Sequence, residues 1–384
     1  MKRGREEKSD ETSPSPTQLG HGGISTRDIN IPIDLTVEIL KKLPAKSLVK
    51  FQCVSKQWSA IISRSRDFID SIVTRSLTQP PRHAHLIFEH NSGHPNEWFL
   101  VFSSNTCPQD TDKKSLLIPD VMCQYVRGLI CCWSNHRREA AIYNLTTRQS
   151  FHLPKSIKTS SMGTCFFGYD PLENQYKILF LPLYYLEQGC QVFTLGDPTS
   201  KHWRAIEGFR CHFPLVGAIC INGVIYYRAK TTECDSTSIY MLMSFDVRSE
   251  KFCHLDAPNT LMDHFSFLIN YQGKLGFVCC GKSVEIWVRE DGDQKTQIWS
   301  KIFFYEMEGF EKWRVSGVTR GGEIVFVNTV YFSDDKLCVL YYDPKRNSIR
   351  YVDFEGIYSK ERRRHNSVLI WTLPDHVENT MRLY

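Results

Sequence analysis

No stretch of this chain stays apolar for the ~20 residues a bilayer-spanning helix needs. The nearest run, Leu215–Tyr227, is broken by Asn222 and Gly223, so no membrane partner is expected. The glycine patterns that cradle phosphates or dinucleotides are missing, as are H-E-x-x-H and G-x-S-x-G, so the familiar nucleotide, zinc-protease and serine-hydrolase chemistries are not written here. Neither sign of charge dominates. Lys and Arg number 47 against 42 Asp and Glu, and the +5 balance is spread along the chain rather than gathered in a stripe, which argues against nucleic acid as a partner. Of the 14 cysteines none forms C-x-x-C, and the histidines add no tetrahedral spacing, so no metal or other cofactor is expected. The opening MKRGREEKSD has no apolar core of a secretory signal. The expected setting is therefore reducing, nucleus and/or cytoplasm, with the cysteines as free thiols acting as small buried hydrophobes. Residues 1–29 hold almost no large apolar side chain and are expected to remain a disordered tail.

What is present is enough apolar material, 42% of 384 residues with 12% aromatic, for more than one cored domain. The stretch Ile31–Ile62 reads as three short helices. Asp34 is placed to cap the first, in which Leu35, Ile39 and Leu43 recur at i, i+4 and i+8 with Leu40 widening the stripe, and Pro44 ends it. A second helix carries Leu48 and Phe51 on one face. Ser55 is expected to cap a third, which sets Trp58, Ile61 and Ile62 on a common side. Units of about 40 residues seldom bury enough surface to stand alone, so a partner is implied.

The residue order decides what kind of unit this is. Ile31-Pro32-x-Asp34-Leu35, Glu38-Ile39-Leu40, Leu43-Pro44-x-Lys46-Ser47-Leu48 and Phe51-x-Cys53-Val54-Ser55-Lys56-x-Trp58 together resemble an F-box over residues 30–70, with Ile31 where the family usually has Leu. The resemblance implies a Skp-type adaptor as partner and, through it, a cullin with its RING subunit. Carried over position by position, the candidate adaptor-binding residues are Pro32, Leu35, Ile39, Leu40, Leu43, Pro44, Leu48, Cys53 and Val54. Phe51 and Trp58 are the ones expected to hold the helices together. Lys41, Lys42, Lys46, Lys50 and Lys56 form a basic rim, ordinarily a solvated face, which could also steer an acidic adaptor. Residues 71–82, ending in Pro80-Pro81, read as a linker.

From residue 83 to about 360 the texture changes to short runs of Val, Ile, Phe, Tyr and Trp between Gly, Asn, Asp and Pro, the pattern of many β-strands. Arg127-Gly128, Asn222-Gly223, Gln272-Gly273 and Gly321-Gly322 each precede an apolar strand, and their second glycines stand 95, 50 and 49 residues apart. Asn174-Gln175 supplies a turn near the middle of the first gap. A second repeat follows, in Tyr143-Asn144, Phe245-Asp246 and Tyr342-Asp343, where Asn or Asp starts a tight turn by bonding its own backbone. A period of about 50 residues is kelch-like. The expected fold is thus mixed, a small all-α unit followed by an all-β domain of about six four-stranded sheets closed into a β-propeller. A pair of β-sandwiches is the alternative.

Gly128-Leu129-Ile130-Cys131, Asn144-Leu145-Thr146-Thr147-Arg148-Gln149, Gly168-Tyr169-Asp170-Pro171 and His202-Trp203-Arg204 resemble the F-box-associated domain of the plant F-box family, with Leu145 where Pro is usual. Both resemblances together imply the substrate receptor of an SCF-type ubiquitin ligase, with residues 361–384 left as a C-terminal segment. An adaptor-bound protein that sequesters its partner without degrading it is the alternative. A hydrolase using Asp170, Asp246 and Glu285 in the ring's channel is a more distant one. The protein substrate and its contacts are unknown; polar loops at 91–96, 105–114, 230–237 and 290–295 are the candidates.

Overall fold

The computed structural model describes residues 31–80, 83–90, 97–103, 115–116, 122–134, 139–154, 163–182, 189–196, 202–206, 212–215, 217–232, 238–262, 266–280, 283–290, 298–306, 313–328, 338–353 and 367–383. The expected disordered tail lies outside them. Helix α1 spans Ile33–Lys41, α2 Ala45–Phe51 and α3 Lys56–Arg64. Asp34 is not the cap of α1. Pro32 holds that position, and Asp34 sits inside the first turn, where its charge faces the positive end of the helix. Pro44 likewise precedes α2, a place where its missing N–H costs nothing. Ser55 does cap α3, its Oγ accepting the Trp58 N–H at 3.0 Å.

The expected linker is instead mostly helix. Ser65 Oγ accepts the Phe68 N–H and starts α4, Arg66–Thr78, which buries two faces. Phe68 and Ile72, at i and i+4, close a core with Leu40, Leu48, Ile61 and Ile62. Ile69 and Val73 turn the other way, onto Val377 near the end of the chain.

Six antiparallel sheets follow among the described residues. In spatial order, the first takes Ser367–Leu373, His83–His90, Glu97–Ser103 and Ser115–Leu116. The second takes Met122–Val126, Leu129–Ser134, Glu139–Asn144 and Gln149–His152, and the third Gly163–Asp170, Gln175–Pro182, Gln191–Leu195 and Arg204–Ala205. The fourth has five strands, Val224–Thr232, Ser238–Asp246 and Lys251–Leu255 with Phe213–Pro214 and Ile219–Ile221 both pairing to the first of these. The fifth runs Ser266–Tyr271, Lys274–Cys280, Ser283–Glu290, Ile298–Glu306, and the sixth Trp313–Val318, Ile324–Asn328, Cys338–Asp343, Ser348–Asp353. This is a β-propeller, not a pair of sandwiches.

Both repeated turns have a structural reason. Arg127-Gly128, Asn222-Gly223 and Gln272-Gly273 have positive φ at both residues, the two-residue hairpin turn whose twist matches its strands. In the second repeat Asn144 Oδ1 accepts the Thr146 N–H at 2.9 Å, Asp343 Oδ1 the Lys345 N–H at 2.9 Å and Asp246 Oδ1 the Ser249 N–H at 2.6 Å. Strand alternation then gives each sheet two apolar faces. In the fifth sheet Leu275 and Phe277 pack toward Leu242 and Leu255 of the fourth, while Val278 and Ile286 pack toward Ile324 and Phe326 of the sixth.

The β domain does not stop near residue 360. Ser367–Leu373 pairs with His83–His90, so the first sheet is built from both ends of the β region and closes the ring. His85 Nδ1 lies 3.1 Å from Thr372 Oγ1 across that closure. Burial, with smaller contributions from His83 and Arg350, pushes the His85 imidazole down to about 3. An unfolded histidine titrates near pH ~6.5, so below that value the unfolded chain binds a proton the native chain does not. Stability is then full above pH ~6.5 and falls by about 1.4 kcal/mol per unit as acid is added toward pH 3. Thermal melts between pH 7 and 4.5 are expected to show this fall, and His85→Gln to flatten it.

Candidate adaptor-docking site

An apolar side chain on a short helix has two fates, core or surface, and the helical unit divides its own between them. Leu40 and Leu48 are 0% exposed and belong to the core, so neither forms part of a docking surface. The reason is angular. Leu40 follows Ile39 by one residue, about 100° around the helix, which turns it inward onto Phe68 and Ile72 while Ile39 points out. Leu43 is half-buried against the same core, and Phe51 and Trp58 meet edge to face at 5.6 Å beside it. Pro32, Leu35, Ile39, Pro44, Cys53 and Val54 are exposed, with Leu35 57%, Ile39 50% and Val54 60% open to water. Ile31 and Ile33 join them. Half of the large hydrophobics exposed among the described residues therefore lie between Ile31 and Val54. Solvent-facing apolar residues gathered this way mark a protein-docking surface, and covering each recovers about 1.5 kcal/mol.

The rest of the chain seats this unit on the ring. After Leu373 the backbone returns between α4 and the second sheet as a strap, residues 374–383. Thr380 Oγ1 donates to the Ile62 carbonyl at 2.8 Å, and the Glu378 N–H to Ser76 Oγ at 3.0 Å. On its other side Asn379, fully buried, donates through Nδ2 to the Arg127 carbonyl and to the Tyr176 hydroxyl, both at 2.9 Å. Asn144 Nδ2 donates to the Asn379 and Met381 carbonyls at 3.0 and 2.7 Å. Gly128 is required here twice over. Its φ is +88°, and a Cβ would stand 2.6 Å from Asn379 Cβ and 2.8 Å from the Val377 oxygen. Arg127 and Asp70 pair directly between the ring and α4.

Family models match the chain as an F-box domain over residues 29–70 and as an F-box associated beta propeller domain over residues 82–377. The chain belongs to the F-box proteins with an F-box-associated β-propeller. A putative F-box protein of Arabidopsis thaliana is 53% identical over the whole of both chains. Another from the same plant is 58% identical over 77% of this chain and 99% of its own, and a further Arabidopsis F-box protein is 39% identical over 93% and 88%. The chain is thus a plant-type F-box protein, and its F-box indicates a Skp-type adaptor as a partner.

The carboxylates weighed for hydrolysis stand on three different sheets of this F-box protein. Asp170 caps the Leu172 N–H at 2.9 Å, Asp246 caps its own turn, and Glu285 pairs with Lys301 at 2.9 Å. Among the described residues no three His, Cys, Asp or Glu are grouped to hold a metal, and no helix is long and apolar enough to cross a membrane. The candidate substrate loops fall outside the described residues, except Lys230–Thr232 and Glu290, which end strands. Sequence reasoning missed α4 and the strap.

Proposed function

We propose that this F-box protein is the substrate-recognition subunit of an SCF-type ubiquitin ligase, working in the nucleus and/or cytoplasm. The observation that carries this is the exposed Leu35, Ile39 and Val54 face on a helical unit fastened to a β-propeller. The helices dock on a Skp-type adaptor and thereby on a cullin and its RING subunit. The propeller, whose period of about 50 residues supports a kelch-like reading, presents loops to a protein substrate. Its part is non-catalytic. Holding a substrate lysine beside a charged conjugating enzyme raises the effective concentration by orders of magnitude, and this geometric task needs only a stiff link between the two binding surfaces. The strap supplies that link.

Affinity purification of the tagged chain from plant cells under proteasome inhibition tests the proposal. Adaptor and cullin are expected to copurify, with a bound protein carrying ubiquitin chains that accumulate on inhibition. Adaptor without cullin, or a bound protein that is never ubiquitinated, would show a sequestering role instead.

A further inference from the structure

The helical unit does not seal completely against the ring. A cavity of about 920 Å³ remains at the seam, between α3 and α4 on one side and the second and third sheets on the other, with Met381–Leu383 along one wall. Phe151, Tyr169, Phe193, Leu195 and Met381 make its lining largely apolar. The charged groups are unbalanced. Four arginines, Arg64, Arg66, Arg127 and Arg382, are among its lining residues against one acidic residue, Asp70, which is paired with Arg127.

Two of these arginines have bonding capacity to spare. Arg127 lies with its guanidinium 4.4 Å over the Tyr169 ring, and 27% of its side chain stays open to water beyond its pairing with Asp70. Arg66 is exposed and reaches the Glu173 carbonyl at a long 3.5 Å. A guanidinium presents a planar fork of donors that matches a carboxylate, and it binds more strongly where apolar walls displace water. The volume lies within the ~300–1,000 Å³ usual for small-molecule sites.

We propose that the seam cavity is a binding site for a small amphipathic carboxylate, its anionic head held by Arg66 and Arg127 and its apolar body against Phe151, Phe193 and Met381. Such a ligand touches α4, the strap and the ring at once, and its binding tightens the joint between docking helices and propeller. Nothing in this requires ubiquitin transfer, so the proposal stands apart from the ligase reading.

The test is a fluorescence titration of the whole chain with 1-pyrenebutyrate and with 1-pyrenebutanol, its uncharged counterpart. One saturable site is expected, with the carboxylate binding about tenfold or more tightly than the alcohol, the discrimination a charge-assisted hydrogen bond gives. Arg66→Glu is expected to bring the two probes near parity with an unchanged melting temperature, and Arg66→Gln serves if that variant does not fold. Met381→Trp, which fills the cavity, is expected to weaken both probes. Equal affinity for the two probes overturns the proposal, as does non-saturating binding or a carboxylate preference that survives at Arg66. Displacement of 1-pyrenebutyrate by an acidic peptide at equal or lower concentration would also overturn it, by making a protein segment the occupant.

Discussion

A chain carrying Leu35→Ser and Ile39→Ser is expected to bind its adaptor about 100-fold more weakly while melting at an unchanged temperature. Both side chains are at least half exposed in the free chain, so removing them takes little from the fold. In a complex they are covered, and losing the burial of two such residues costs about 3 kcal/mol, which converts to roughly two decades of affinity. Titration of labelled adaptor against the purified chain reads the first effect, and circular dichroism melting the second. Leu40→Ser, one residue along, is expected to invert the result. Leu40 is 0% exposed, so the substitution leaves a cavity and a buried hydroxyl, destabilising the helical core by about 3 kcal/mol or more. If the double variant bound adaptor normally, the docking surface would lie elsewhere.

Asn379→Ala is expected to lower the melting temperature by roughly 6 to 8 °C, from a loss of about 3 to 4 kcal/mol at about 2 °C per kcal/mol for a chain of this size. The side chain gives two hydrogen bonds and accepts a third from the Met381 N–H at 2.9 Å. Removing it takes three buried hydrogen bonds at about 1 kcal/mol or more each: the Met381 N–H loses its acceptor, while the Arg127 carbonyl and the Tyr176 hydroxyl each lose one bond and keep the one they make to each other at 3.0 Å. Adaptor binding is expected to survive, because the exposed residues of α1 and the turn after α2 face water, whereas the strap bonds Ile62 and Ser76. Ubiquitination of a bound substrate is expected to fall, because the joint that orients it has slackened. Thermal denaturation checks the first expectation and a reconstituted ubiquitination assay the second.

How much could be seen beforehand follows from the range of each interaction. The Ser55 cap, the Arg127-Gly128 type of turn and the Asn144 and Asp343 turns are settled within four or five residues, so their sequence signals suffice. The inward turn of Leu40 is not local. Ile39 and Leu40 are equally apolar neighbours, and only α4, packed on one side of α1, separates core from surface. Helix α4 was itself legible in retrospect, since Ser65 can cap it and Phe68 with Ile72, and Ile69 with Val73, keep helical spacing. Pro80-Pro81, just beyond its end, is a linker signal that masks it. The strap left no signal at all, because Thr380 bonds Ile62 across 318 positions of sequence and such bonds have no periodicity. The cavity is harder still, assembled from the helices, two sheets and the strap.

The ring's first sheet joins residues near 85 to residues near 370, and the strap that seats the helices comes after both. During synthesis the F-box therefore emerges first and can meet its adaptor while the ring behind it is still open. Only when residues 367–383 leave the ribosome can the circle shut and the helices be fixed against it. On the proposed ligase role, a messenger truncated shortly before that point would yield a chain that still occupies adaptors but cannot aim a substrate, and so would compete with the full-length protein.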